Sequence, residues 1–325
     1  MIRSLYSAAR VDSASAPYDT IHLKVYYPAE MSGSQDERMT GNVAPRKAGA
    51  PFPVVVFFNG INLGPEAYHW LAVALAERGL AVVTFGWVGE TIPGVIGLTS
   101  GIDLDKVRPD TYGSGPTSLA LGPILNALNA LNENAPWARS PLVGALDLNA
   151  VVLGGHSAGG TVVLQNADNR YFAGVRGAFS YGGHTLASLM LGFPAGTVLA
   201  VRDSMPLLLI GGTRDGVIAA SAARYQQEGA APGLRQGRLH DPITCTFDEA
   251  IGGARGDRHL WMMTGANHFT IAHPIDDTAG RGFLDLPAEI DEDAAREHMA
   301  RVIGDFALSV TRGAAFFPPE GARTK

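Results

Sequence analysis

The chain has 325 residues, of which 46% are hydrophobic and only 17% charged, with 40 glycines and 20 prolines. Such an apolar fraction excludes a disordered chain, which cannot bury enough surface to offset its ordering entropy. The net charge of −6 sets the chain against phosphate backbones, so no nucleic-acid partner is expected.

Residues 21–27 alternate apolar and polar side chains, the pattern of a half-exposed strand. Residues 31–50, rich in Gly, Ser, Pro and charge, read as a surface loop. Residues 53–58 form a continuous β-branched and aromatic run, which marks a strand buried on both faces. It stops at Asn59-Gly60. Pro65 opens a helix whose apolar positions Tyr68, Leu71, Ala72, Leu75 and Ala76 share one face. Pro suits the first turn of that helix, and Gly79 suits the left-handed residue past its end. Residues 80–85 form a second buried strand, so 53–85 reads as strand, helix, strand with a right-handed crossover and a parallel pair.

Residues 87–115 have no steady period and read as a long loop region, a length usually kept for function. Ile124, Leu128 and Leu131 mark a helix starting near Pro123. A buried strand at 150–153 runs into Gly154-Gly155-His156-Ser157-Ala158-Gly159-Gly160, and residues 161–165 start a buried helix. Further strands are expected at 176–181, 205–210 and 260–263, with a polar, Gly-rich excursion at 219–257. Met299, Ile303, Phe306 and Val310 mark the apolar stripe of a last helix. Asp291, Glu292 and Asp293 lie near its start, where the helix dipole favours negative charge. Strands alternate with helices throughout, so the class is α/β with a mainly parallel sheet. No repeat or linker divides the chain, and residues 1–325 are expected to form one domain.

The N-terminus shows no apolar segment after Arg3, so no signal peptide is apparent. No apolar run reaches the roughly 18 residues needed to span a bilayer. A cytoplasmic location is expected, and the oligomeric state is left open. The lone Cys245 can form neither an intramolecular disulfide nor a zinc-finger site. Asp103, Asp105, Asp276 and Asp277 sit at short spacings in polar segments and read as solvated loops, so no metal or cofactor is expected.

The chemistry concentrates at Gly155-His156-Ser157-Ala158-Gly159, a G-x-S-x-G pattern between a buried strand and a helix. A Ser on so sharp a turn needs a strained backbone, and glycines two before and two after remove side chains that would clash. A Ser hydroxyl needs a base, and a His base needs an orienting acid. In chain order the acid should follow a later strand, where Asp215 stands; Asp203 precedes that strand and Asp241 lies within the excursion. The base should follow the next strand, where His268 stands, with His273 as its rival on the same loop. His240 and His259 precede the strand. His156, between Gly155 and Ser157, is expected to point away. Two backbone donors for a developing oxyanion are expected, Ala158 N–H after the nucleophile and Ile61 N–H after Gly60. Gly60, Leu63, Trp87, Val88, Ile92 and His184 follow strands on the side where ligands bind parallel sheets, and are expected to line the substrate site.

With these elements in place, the chain resembles the α/β-hydrolase superfamily over roughly residues 20–312. The run Phe57-Phe58-Asn59-Gly60-Ile61, the helix around Trp70 and the strand after Gly79 look like the branch of chlorophyllases, platelet-activating-factor acetylhydrolases and cutinase-like polyester hydrolases. The resemblance implies an α/β-hydrolase fold, a mainly parallel sheet flanked by helices. It implies a serine esterase with Ser157, Asp215 and His268 as its triad and Ile61 as second oxyanion donor. The chain departs from a minimal member in the longer stretches 182–204 and 219–257, which are expected to be loop insertions forming a lid or rim. The chain departs from secreted polyester hydrolases in having neither a signal peptide nor a disulfide, and from dienelactone hydrolases in having Ser157 for Cys. An apolar lining with few charges points to a small, uncharged acyl or aryl ester. Lipase, thioesterase, acyltransferase and polyester hydrolase remain alternatives on the same triad, and a non-catalytic binding protein of the same fold a remoter one.

Overall fold

The computed structural model describes residues 1–92, 94–136, 140–202, 204–221, 224–225, 234–235, 238–239, 241–276, 278 and 280–325. The chain opens with an antiparallel pair, β1 (Ile2–Arg10) and β2 (Thr20–Pro28). A short helix α1 (Gln35–Thr40) precedes β3 (Phe52–Phe58), and α2 (His69–Glu77) leads into β4 (Ala81–Gly86). A hairpin of β5 (Val88–Ile92) and β6 (Val95–Leu98) follows, then α3 (Leu121–Asn132), β7 (Leu146–His156), α4 (Ala158–Asn166) and β8 (Val175–Tyr181). The last third holds β9 (Leu207–Gly212), α5 (Gly216–Ala220), the small pair β10 (Leu234–Arg235) and β11 (Arg238–Leu239), α6 (Pro242–Cys245), β12 (Arg258–Met263), α7 (Glu292–Arg312) and β13 (Arg323–Thr324).

Nine strands join in one sheet in the order β1-β2-β4-β3-β7-β8-β9-β12-β13. From β4 through β12 the neighbours run parallel. This is a mixed α/β fold, a large and mostly parallel sheet flanked by helices. β3 shows why the sheet is dry on both faces. Val54, Val56 and Phe58 pack into one layer with Leu128 of α3 and Val163 of α4. Val55 and Phe57 pack into the other layer with Leu71 and Leu75 of α2 and Met299, Ile303 and Phe306 of α7. A strand alternates faces at every residue, so a run without polar residues feeds both layers.

Several expectations are corrected. The 31–50 segment is not all loop: Ser34 caps α1 by accepting the Glu37 N–H at 3.1 Å, and the Glu37 carboxylate reaches back to the Ser32 and Gly33 N–H groups. This is a variant of the capping box in which Glu37 reaches the two residues before the cap, and the spacing of the box stands in the sequence as Ser34 and Glu37. The 87–115 segment contains the β5–β6 hairpin. β1 has no strand pattern in its sequence: residues 5–10 alternate between covered and exposed, but Ser7 takes a covered position while Tyr6 and Ala8 face out. Within 182–204, Ala187, Phe193 and Leu199 form a satellite core with Val107. The end of the 219–257 excursion is likewise no surface loop, since Ile243 and Phe247 join the first layer. Much of the remaining excursion, with His240, and also Asp203 and Asp277, lies outside the described residues.

Candidate functional site

In the parallel sheet, successive strands end at one edge. His156 at the end of β7 is level with Tyr181 at the end of β8, and Gly212 of β9 is level with Met263 of β12. The loops that leave these ends therefore meet.

Ser157 follows β7 with φ 54° and ψ −122°, a left-handed conformation that a residue with a Cβ rarely adopts. The turn is held from both sides. The Ser157 N–H donates to Tyr181 O at 2.8 Å, and Ser157 O accepts the Thr161 N–H at 3.0 Å. Its flanking glycines are required by contact. A Cβ on Gly155 would lie 2.5 Å from the Gly159 carbonyl carbon, and one on Gly159 would meet the carbonyl oxygens of Phe58 and Asn59. The elbow is thus pressed backbone to backbone against the loop after β3. The first N–H groups of α4, starting at Ala158, have no acceptor within their own helix.

The loop after β3 is closed by a side chain. Asn59 Nδ2 donates to Gly60 O at 3.1 Å and to Leu63 O at 2.8 Å. In a trans peptide the carbonyl and the next N–H point opposite ways, so the Ile61 N–H projects away from Asn59. A Cβ on Gly60 would sit 3.4 Å from Ser157 Cβ, which places this loop directly beside the serine.

Asp215 caps α5, its Oδ1 accepting the Ile218 N–H at 2.8 Å, while Oδ2 accepts from His268 Nδ1 at 2.7 Å. Both side chains are almost fully buried, at 6% and 2% exposure. With the Nδ1 proton committed to the carboxylate, the neutral ring presents Nε2 as an acceptor. Gly182, at φ 64°, makes room for the ring: a Cβ there would lie 3.1 Å from Nδ1 and Cε1 of His268. The His268 loop is pinned by Tyr181, whose hydroxyl donates to Asn267 O at 2.5 Å. The rival His273 lies exposed, with its backbone N–H on Ala67 O.

His156 does not point into empty space. It is fully buried, with Nδ1 2.8 Å from the Tyr68 hydroxyl and Nε2 3.0 Å from the His268 carbonyl. A carbonyl can only accept, so Nε2 carries the proton. Burial and the neighbouring His268 hold His156 well below its ordinary pKa, so the ring is neutral and Nδ1 accepts from Tyr68. The Tyr68 oxygen in turn accepts the Gly60 N–H at 3.1 Å, and burial pushes its phenol pKa up. One chain of hydrogen bonds therefore links the β3 loop, the elbow and the His268 loop. No sequence pattern exposes this link, because its members lie 88 and 112 residues apart.

The expected lining residues divide. Val88 and Ile92 stand exposed on the β5–β6 hairpin at 48% and 43%. That hairpin is tied to the β3 loop: the Asn62 N–H donates to Leu98 O at 2.9 Å, and Asn62 Oδ1 accepts the Leu98 N–H at 3.1 Å. Leu63 and His184 are buried, the latter with Nδ1 accepting the Leu186 N–H and its ring against Tyr225. Trp87, just after β4, packs in the core and donates Nε1–H to Tyr18 O at 2.8 Å. Asp103 and Asp105 lie in a turn where Asp103 accepts the Asp105 N–H and Asp105 pairs with Arg108, and Asp276 accepts from Thr278.

No family model matches the chain, and no curated protein does. Many solved structures share its fold. One is a ferulic acid esterase from Streptomyces cinnamoneus, with a TM-score of 0.58 over 99% of this chain and 95% of that one, at 16% identity. At that identity the likeness speaks for the fold. Among the described residues, no helix is long and apolar enough to cross a membrane.

Proposed function

We propose that the chain is a serine hydrolase of carboxylic esters, working through an acyl-enzyme on Ser157. The observation that carries the reading is the 2.7 Å His268–Asp215 hydrogen bond, with the His268 ring 4.7 Å from that of His156, the residue before a serine held in a left-handed turn. A structural turn has no need of both. The fold match to a ferulic acid esterase supports an ester as substrate.

Ser157 Oγ attacks the ester carbonyl while His268 Nε2 takes its proton. Asp215 keeps the ring in the required tautomer and stabilises the imidazolium. The N–H groups of Ala158 and Ile61 take the oxyanion, and one such donor is worth about 3 kcal/mol of barrier. His268 then gives its proton to the departing alcohol. A water, deprotonated by the same Nε2, releases the acid and restores Ser157. The exposed apolar side chains of the β5–β6 hairpin, Val88, Ile92, Val95 and Ile96, favour an uncharged acyl or aryl group near the β3 loop.

The test is labelling with a fluorophosphonate, with the adduct located by mass. The expected adduct is on Ser157, and Ser157→Ala is expected to lower hydrolysis of a p-nitrophenyl ester by roughly 10³-fold or more. Hydrolysis that survives in Ser157→Ala would overturn the reading. His268→Ala should be as damaging, whereas His273→Ala should leave the rate within about twofold, since His273 meets no carboxylate of the site.

A further inference from the structure

A second carboxylate, Asp285, lies behind the Asp215–His268 pair. Its Oδ1 accepts the Gly216 N–H at 2.8 Å and its Oδ2 accepts the Phe269 N–H at 3.2 Å. Gly216 is the residue after Asp215, and Phe269 the residue after His268. One side chain thus bonds to both turns, 53 residues apart, that carry the acid and the base. A third donor, the Leu286 N–H, also meets Oδ1 at 3.0 Å. All three partners are N–H groups, which suits an ionised carboxylate. No Lys or Arg pairs with it among the described residues.

The chain around Asp285 is built for this contact. The backbone of 284–286 lies so close to Gly216 that a Cβ there would meet Leu284 O at 2.6 Å and Leu286 N at 2.7 Å. On one side Asn267 Nδ2 donates to Leu286 O at 2.9 Å, and on the other Arg214 Nε donates to Pro287 O at 2.7 Å. Arg214 also pairs with Glu289, whose N–H donates to Gly265 O. Residues 284–289 form a strap bonded alternately to the loop of the acid and the loop of the base.

We propose that Asp285 is a positioning residue of the site: it fixes the acid turn against the base loop, and its charge favours the imidazolium form of His268. The proposal rests on the reading of Asp215 and His268 as acid and base. Burial, and then the nearby charge of Asp215, push the Asp285 carboxyl above its ordinary pKa, against the pull of the Gly216 N–H. Holding two carboxylates so close is unfavourable, and a plain loop anchor has no need of it. The other groups that face His268 are Asp215 from the turn after β9, the neutral His156 from β7, with ring centroids 4.7 Å apart, and Tyr181 from β8. Glu292, at the start of α7, adds a negative charge that acts on Tyr181.

The test compares full-length wild type with Asp285→Asn, following kcat/KM for a p-nitrophenyl ester and the fluorophosphonate labelling rate against pH. Loss of a negative charge disfavours the imidazolium, so neutral His268 persists to lower pH. The acid limb of both profiles is expected to move down by about one pH unit. kcat is expected to fall about tenfold with KM nearly unchanged, because alignment and not substrate binding is lost. A folded Asp285→Asn whose acid limb stays in place overturns the proposal, whatever its rate. Asp285→Ser, which keeps a hydroxyl for one N–H, takes the same measurement if the Asn variant does not fold. Failure of both to fold makes Asp285 an element of the fold and also overturns it. A wild type whose hydrolysis does not depend on Ser157 is a different result, which removes the proposed function and this inference with it.

Discussion

His156 illustrates how one side chain can carry an obligation for its neighbours. Its two ring nitrogens are both engaged, and the Tyr68 hydroxyl that serves one of them also serves the Gly60 N–H. Tyr68→Phe leaves two buried groups without partners and should cost about 1–3 kcal/mol of stability, measured by urea unfolding. A neutral loss below about 0.5 kcal/mol would mean that water replaces the hydroxyl. The same ring sets a pH dependence. The folded chain holds His156 well below its ordinary value of 6.5, while the unfolded chain does not. Below pH 6.5 the unfolded chain therefore takes up a proton that the folded chain refuses. Stability falls as pH drops, by up to about 1.4 kcal/mol per unit, until folded His156 itself protonates. Urea unfolding at pH 7.5 and pH 5 should show this slope, flattened in His156→Asn; equal slopes in both would remove His156 as its cause. At this scale the elbow, Asp215 and His268 were legible as candidates because each lies in the loop that leaves a buried apolar strand. The Tyr68–His156 link and Asp285 were not, because a hydrogen bond across tens of residues leaves no periodic trace. Asp285 stands in sequence as one more loop aspartate.

Among the elements, the β5–β6 hairpin has the most direct hold on the site. Asn62 sits at φ 58° and makes both hydrogen bonds to Leu98, so the hairpin and the turn carrying the Ile61 N–H are anchored together. Asn62→Gly keeps the left-handed backbone without strain and loses only the side-chain acceptor, whereas Asn62→Ala also incurs about 1–2 kcal/mol of strain. Activity should fall in both variants, with Ala the less stable by thermal melting. Unchanged activity in both would show that the hairpin does not hold the loop. By contrast, Asp291 caps α7 and bonds to none of the site residues, accepting the Asp293 and Ala294 N–H groups at 3.1 Å. Asp291→Ala should lower stability by about 1 kcal/mol and leave the rate per folded molecule intact. α7 was readable from its stripe and its acidic start, and α1 from its capping box once the spacing is weighed. The hairpin hid because in β5 Gly89 and Thr91 take the buried positions while Val88 and Ile92 face out, the reverse of the apolar-in pattern; the dipeptide Pro93-Gly94 is its mark in the sequence.

At the scale of the whole molecule, the low charge and high apolar content correspond to a sheet covered on both faces, and strand–helix alternation was enough to read a mainly parallel order. The edge strands β1 and β13 were not readable in the same way, since an edge strand is held by one ladder and has less need of an apolar pattern. The order of the strands has one more consequence, in time rather than in space. Ser157 leaves the ribosome 58 residues before Asp215 and 111 before His268, as the numbering gives (215 − 157 and 268 − 157). β12, the strand that leads to the His268 loop, pairs with β9 near one margin of the sheet and is made well after β7. A nascent chain therefore carries Ser157 through the synthesis of 111 further residues before His268 exists, and under the proposed function no hydrolysis is expected until that loop has folded onto the elbow.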